Sequence, residues 1–450
     1  RGSDMFSPDD IFFSRRRFLT SGMQLLSAAA TLPLFLDQSA HCLAADFEAN
    51  PRGAGRPDDH VLVVVQLAGG NDGLNTVIPF RDENYYRYRP RLGIQRDRAV
   101  KLNDQWAVHP AAAPLKKLWD GGDLAIVHAV GYPNPNRSHF RSTDIWTTAE
   151  PDRVGTTGWL GRYCDACCNG QDPGHAATGA KKENTTDPAT AVALDVEPPA
   201  ALVGQKYVPL TFRGPDSLMY RGGRGRAADA FQKLNGDDPA AAMMEMTHGQ
   251  HSAAQTEEFL TRSALNARVY ADRIRKITNT IANKANYPQT PFANDLRLVA
   301  QLIASDMPTR VYYVKLGGFD THADQIQRHP RLLEELGGGL AAFVDDLRQL
   351  GHLNRTAVMT FSEFGRRVHE NGSGTDHGEA APMFLAGGAI KPGFHGTFPS
   401  LAENMLHRGD IPFTTDFRKV YATILKQWMG ANDVGVLGNR FPYMDIFKKA

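Results

Sequence analysis

The sequence predicts an α/β fold, a three-layer α/β/α sandwich around a mainly parallel central sheet. Three observations predict it. Apolar runs such as Val61–Leu67 and Leu124–Val130 lack polar alternation, which marks strands buried on both faces. Helical periodicity falls between such runs, at Pro110–Trp119, Arg331–Leu350 and Asp416–Met429. Several runs also break directly into glycine-rich turns that carry an acid, as strands do where they leave a sheet edge.

The chain has 450 residues, 42% hydrophobic and 22% charged, which is ordinary for a globular protein with a sizeable core. Lys plus Arg number 50 against 49 Asp plus Glu, and no basic stripe with interleaved aromatics occurs, which argues against a nucleic-acid partner. Residues 1–45 read as a tag remnant before Met5 followed by a twin-arginine export signal. There Ser14-Arg15-Arg16-Arg17-Phe18-Leu19-Thr20 precedes an apolar segment from Met23 to Leu36, with cleavage expected near Ala44 or Ala45. That segment is short for a membrane span, so no stable anchor is expected. Export by this route makes its machinery a partner and places the folded chain in the periplasm or outside the cell. Residues 46–59 read as an extended leader, and 60–450 as one domain with a helical insertion over about 238–305. Cys164, Cys167 and Cys168 fit a local disulfide, buried thiols or a soft-metal site.

In chain order, Val61–Leu67 ends in Ala68-Gly69-Gly70-Asn71-Asp72-Gly73-Leu74-Asn75, a glycine turn bearing the first acid. Tyr85–Ile94 reads as an irregular surface segment. Leu124–Val130 leads into Gly131–Phe140, whose prolines and asparagines forbid regular structure until Ser138 caps a helix through Trp146. Thr157–Cys168 reads as helical, Gln171–Asp187 as a polar loop, and Ala191–Val196 and Val208–Phe212 as strands. Gly214–Asp238 is glycine-rich and charged, and helices follow at about Thr256–Ala285 and Phe292–Ser305. Strand Arg310–Leu316 exits through Gly317-Gly318-Phe319-Asp320-Thr321-His322. Strand Ala357–Phe361 stops at Ser362-Glu363, after which the loop Gly372–Gly378 carries Asp376-His377 and leads to a strand at Pro382–Ala386.

Asp72, Asp320 and Glu363 each sit at a strand exit, and His322, Asp376 and His377 lie on the adjoining loops. One such acid alone reads as a turn or a helix cap. Parallel strands leave from one edge, however, so these side chains can converge. Carboxylates with imidazoles suit a divalent metal, whether zinc, manganese, magnesium or calcium. His109, His128 and His395 have no such partners and read as structural.

The motifs GGNDGLN (Gly69–Asn75), NRSHF (Asn136–Phe140), FDTH (Phe319–His322), SEFGR (Ser362–Arg366) and GTDHG (Gly374–Gly378) resemble the bacterial domain-of-unknown-function family 1501. That family is grouped with the alkaline phosphatase and sulfatase superfamily, and the resemblance implies an alkaline phosphatase/sulfatase-like fold. In chain order it implies that Asp72 and Glu363 serve one metal position and that Asp320, His322 and His377 serve another, with Phe364 standing where a ligand would be. Pro133-Asn134-Pro135-Asn136-Arg137 follows the frame of the sulfatase nucleophile motif with proline in the nucleophile's place, which disfavours a formylglycine sulfatase. Ser138 is then the candidate nucleophile, His139 its base and Arg137 a clamp on an anionic ester oxygen. Ser138 reads equally as a helix cap. The function implied is an exported metal-dependent hydrolase of phosphate or sulfate esters, acting on a small-molecule or polysaccharide ester. The alternative is a catalytically inactive member of the superfamily that serves as a periplasmic ligand-binding or scaffold protein.

Overall fold

The apolar runs fold as the middle of one large sheet. The computed structural model describes residues 60–167, 188–214, 270–305 and 307–448. Their strands are β1 (Val61–Ala68), β2 (Val77–Ile78), β3 (Val100–Lys101), β4 (Ala107–Val108), β5 (Leu124–Gly131), β6 (Ala191–Ala193), β7 (Leu210–Thr211), β8 (Val311–Gly317), β9 (Thr356–Phe361), β10 (Ala381–Ala386), β11 (Gly393–His395) and β12 (Thr415–Asp416). Nine of them form the large sheet in the order β11-β5-β10-β9-β1-β8-β6-β7, with β12 also pairing β5, while β2, β4 and β3 form a small separate sheet.

β1 is central because Val61–Leu67 are all buried and need cover on both faces. It pairs in parallel with β8, from Leu62↔Val311 to Ala68↔Gly317, and with β9, from Val61↔Thr356 to Gln66↔Phe361. This register sets the ends of β1, β8 and β9 side by side. Only β10 runs against its neighbours, β5 and β9. The chain leaves β9, makes the loop bearing Glu363 and His377, and returns in β10 without a helical crossover. The start of β10 therefore lies at the same edge as the ends of β1, β5, β8 and β9, and everything the site needs leaves from there.

Helices cover the sheet. On one face Leu62 and Val64 of β1 join Ile145, Trp146, Trp159, Phe417 and Tyr421, with ring centroids 4.1 Å apart for Trp159–Tyr421 and 4.5 Å for Trp146–Phe417. Helices Pro291–Ile303 and Gln325–Gln349 pack on each other, and the former also meets β8. Each fully buried Val, Leu or Phe in these layers contributes about 1.5–3 kcal/mol. Of the described residues, those in 60–167, 188–214 and 274–448 belong to one compact unit and 270–273 to a second.

Three expectations change. Tyr85–Ile94 is no surface segment: helix Glu83–Tyr88, capped by Asp82 onto the Asn84 amide, buries Tyr85 and Tyr88. The helix expected from Arg331 begins six residues earlier, at Gln325, and runs through Pro330, which forgoes one hydrogen bond inside it. Val208–Phe212 shrinks to β7, since Pro209 cannot donate to a ladder. Cys164 is buried and Cys167 half-buried on helix Trp159–Cys167. Cys168, the export signal, the leader, the loop Gln171–Asp187, most of Gly214–Asp238 and the helical stretch before residue 270 lie outside the described residues. No helix among the described residues is long and apolar enough to cross a membrane.

Candidate metal centre

Two glycines let the strand exits close on one another. A Cβ on Gly69, at φ +118°, would stand 2.4 Å from the Asp320 amide nitrogen, and one on Gly70 would stand 2.3 Å from the Phe364 ring. With no side chain in the way, the groups that follow each strand meet.

Three imidazoles surround the Asp320 carboxylate. His377 Nε2 lies 3.1 Å and His322 Nε2 3.2 Å from Asp320 Oδ1, and His139 Nε2 lies 3.5 Å from Oδ2. Each ring has its other nitrogen on an acceptor. His139 Nδ1 donates to Glu363 Oε1 at 2.8 Å, His322 Nδ1 to Asp376 Oδ1 at 3.2 Å, and His377 Nδ1 to the Arg137 carbonyl at 2.8 Å. With the proton on Nδ1, a neutral ring presents its Nε2 lone pair to the shared space. The Nε2 atoms of His322 and His377 come within 2.9 Å of each other there. Lone pairs facing a carboxylate and one another repel unless a cation stands among them. Metal-binding histidines are held in this way, by a carboxylate or carbonyl behind each ring. His139, Asp320 and His377 have ligand atoms all within 4.8 Å of one another, a group able to hold a metal ion.

The electrostatics point the same way. Burial would raise the Asp320 carboxyl, but Arg366, through its hydrogen bond and its charge, outweighs this and the carboxyl is held at about 2. Burial lowers His377, which keeps its lone pair available against the weaker upward pull of Asp320. The hydrogen bond to Glu363 raises His139, so an ion there competes with a proton. The Asn371 amide, 2.9 Å away, lowers the Asp376 carboxyl.

Glu363 stands behind His139 rather than facing the centre, the reverse of the order the resemblance implied. Buried, it also accepts from the Gly69 amide at 2.8 Å, and its Oε2 has no hydrogen-bond partner. Glu363→Gln keeps the shape and removes the charge that orients His139. It is expected to weaken metal binding by about 10–100-fold in competition with a chromophoric chelator; unchanged affinity would remove Glu363 from the centre.

Asp72 does not join the cluster. It is fully buried, caps Gly73–Thr76, and pairs with the equally buried Arg89 at 2.6 Å and with Gln325. Burial pushes its carboxyl up, but Arg89 and His329 outweigh this and hold it below its ordinary value. Asn75 is engaged internally by Leu92, Tyr85 and Arg89. The Arg137 guanidinium is held by the buried Asp410, which Arg367 also reaches at 3.3 Å, and it is the Arg137 carbonyl that serves His377. Ser138 is exposed at the start of helix His139–Thr148 and makes no side-chain cap hydrogen bond. It sits between two residues tied to the centre.

Sequence reasoning missed two arginines. Arg366, with its side chain fully buried, donates to Asp320 Oδ1 at 2.7 Å and to the carbonyls of Gly69, Gly70, Phe319 and Thr375. It lies inside the SEFGR motif, but residue type alone does not tell a buried arginine from a surface one. Arg89 sits in the segment read as surface. Phe364 is no ligand; its buried ring stands 4.9 Å from that of His139 and 4.4 Å from that of His377, an apolar wall to the cluster.

Fold and site together define an α/β protein with a candidate metal centre at the exit edge of a largely parallel sheet. The family model described as "Protein of unknown function (DUF1501)" matches residues 59–437, and the chain belongs to that family. No curated protein matches it. Among solved structures it is similar to Ps i-CgsB in complex with k-i-k-neocarrahexaose, at 9% identity and a TM-score of 0.33 over 85% of this chain and 73% of that one. It is also similar to a protein in the alkaline phosphatase superfamily from Vibrio parahaemolyticus, at 10% identity and 0.36 over 90% and 76%. A third, the PsFucS1 sulfatase from Pseudoalteromonas sp., gives 9% and 0.35 over 86% and 71%. At these values none of them carries chemistry over to this chain.

Proposed function

We propose that the chain is a metal-dependent hydrolase of phosphate or sulfate esters, exported by the twin-arginine route that residues 14–36 encode. What supports it above all is the convergence of three imidazole Nε2 atoms on one ionised carboxylate, each ring fixed from behind. His139, Asp320 and His377 would hold the ion, with His322 beside them. So nitrogen-rich a set favours zinc or a similar transition metal over calcium and magnesium, which prefer oxygen. When bound, such an ion supplies a Lewis acid that stabilises charge on ester oxygens.

The chain's own groups do the rest. Ser138 presents its hydroxyl at the start of helix His139–Thr148, whose unpaired amides and dipole favour an anion at that end. Arg137 and Arg367 share the carboxylate of Asp410, with the buried Glu379 near enough to interact with Asp410 and Arg137. A cleft of about 530 Å³, lined by Arg367, Arg408 and His369 and also by the acids Glu370, Asp376 and Glu403, adjoins the centre at Asp376 and has room for the polar remainder of an ester. The test is a panel of phosphate monoesters, phosphate diesters and sulfate esters offered to zinc-loaded protein and to Ser138→Ala. Loss of turnover by more than about 1000-fold with metal retained supports Ser138 as nucleophile. Undiminished turnover removes it from that role, and bound metal without cleavage of any ester favours the ligand-binding reading.

A further inference from the structure

We infer that the centre takes one divalent ion per chain, because the Arg366 guanidinium occupies the place of a second cation. The inference rests on the metal-dependent reading above. Four carboxylates gather at this edge, Asp72, Asp320, Glu363 and Asp376, and two of them already have a fixed positive partner. Asp72 pairs with Arg89 at 2.6 Å, both side chains fully buried, and Asp320 Oδ1 takes Arg366 Nη2 at 2.7 Å.

Neither arginine can readily leave. Arg366 donates to the carbonyls of Gly70 at 2.7 Å, Thr375 at 2.8 Å and Phe319 at 3.0 Å, and Arg89 donates to those of Val368 and Arg367, each at 2.9 Å. Displacing either would leave a buried guanidinium without its counter-charge, which is strongly unfavourable. A two-ion site holds its metals about 3.5–4 Å apart across shared ligands. The oxygen best placed to be shared here, Asp320 Oδ1, is already bound by Arg366. Glu363 and Asp376 remain, and their two negative charges balance one divalent ion. The imidazoles add donors but no charge. Arg366 is thus a positioning residue, holding Oδ1 so that Oδ2 stays turned to His139 Nε2 at 3.5 Å.

Full-length protein, stripped of metal and reloaded with zinc alone, is dialysed and counted by inductively coupled plasma mass spectrometry, with His377→Ala as the blank for surface ions. One zinc per chain above the blank is expected, unchanged when zinc is raised tenfold. Two per chain overturns the inference and leaves the metal-dependent reading standing; none overturns both. Arg366→Gln removes the fixed charge and is expected to raise the count towards two at high zinc, whereas Arg366→Lys stays at one. A folded Arg366→Gln protein that stops at one overturns the role given to Arg366. Should that variant not fold, the wild-type count decides alone.

Discussion

Asp320→Asn loses its metal while keeping its fold. Every imidazole of the centre faces this carboxylate, at 3.1 to 3.5 Å, and no other acid is shared by all three rings. Removing an outer partner costs about 10–100-fold in metal affinity. Asp320→Asn removes a ligand and its charge together, so a fall of more than about 100-fold is expected. The fold should survive at reduced stability: the buried Arg366 loses its counter-charge, but the Asp320 side chain is 47% exposed, asparagine still offers an oxygen, and Arg366 keeps the carbonyls of Gly70, Thr375 and Phe319. Zinc titration calorimetry read beside thermal unfolding checks this; wild-type affinity in a folded Asp320→Asn chain would displace the site.

A second large effect is expected on stability as the pH falls from about 6.5 to about 4. His109, His128 and His329 are all buried, and burial lowers each to about 4. The fold uses their neutral forms. His109 Nδ1 accepts from the Ala111 amide at 3.0 Å, His128 stacks on Phe394 with centroids 4.8 Å apart, and His329 Nε2 donates to Asn71 Oδ1 at 3.0 Å. An unfolded chain protonates these rings near 6.5. Because the folded values lie below the unfolded one, the stability is complete above pH ~6.5 and is lost as the pH falls towards 4, by about 3 kcal/mol for each histidine. His109 and His329 lie 6.2 Å apart, so their shares do not simply add. Against a total of about 5–15 kcal/mol the loss is still decisive. Metal-free protein should therefore show a far lower urea midpoint at pH 5 than at pH 7.5, and His128→Phe should lessen the difference while His109 and His329 maintain the rest. Equal midpoints would contradict it. Asp72 separates cleanly from this effect, since its lowered carboxyl contributes stability that is lost only below about pH 4.

The sheet was legible because strands buried on both faces must be largely apolar, and β1, β5 and β9 are, with only Gln66, His128, Thr356 and Thr360 as polar side chains. Parallel exits then predicted that Asp320, His322, Glu363 and His377 would meet at one edge. Their division of labour was not legible. Whether a carboxylate faces an ion or stands behind a histidine depends on distances of a few ångströms, and so Glu363 and His139 exchanged places. Asp72 shows the same limit differently: a strand-exit acid, a helix cap and a buried ion pair look identical until Arg89 is found beside it. Buried arginines escape a reading by type because their environment, not their chemistry, makes them structural. Phe364 was read as a gap in the ligand set, and only packing shows that it walls the two imidazoles.

Anomalous diffraction at the zinc edge, from crystals of the zinc-loaded protein, tests most directly whether His139, Asp320 and His377 hold a divalent cation. The expected result is a peak about 2.0–2.2 Å from His139 Nε2, His377 Nε2 and an Asp320 oxygen; zinc-loaded crystals with no peak among those atoms would contradict it.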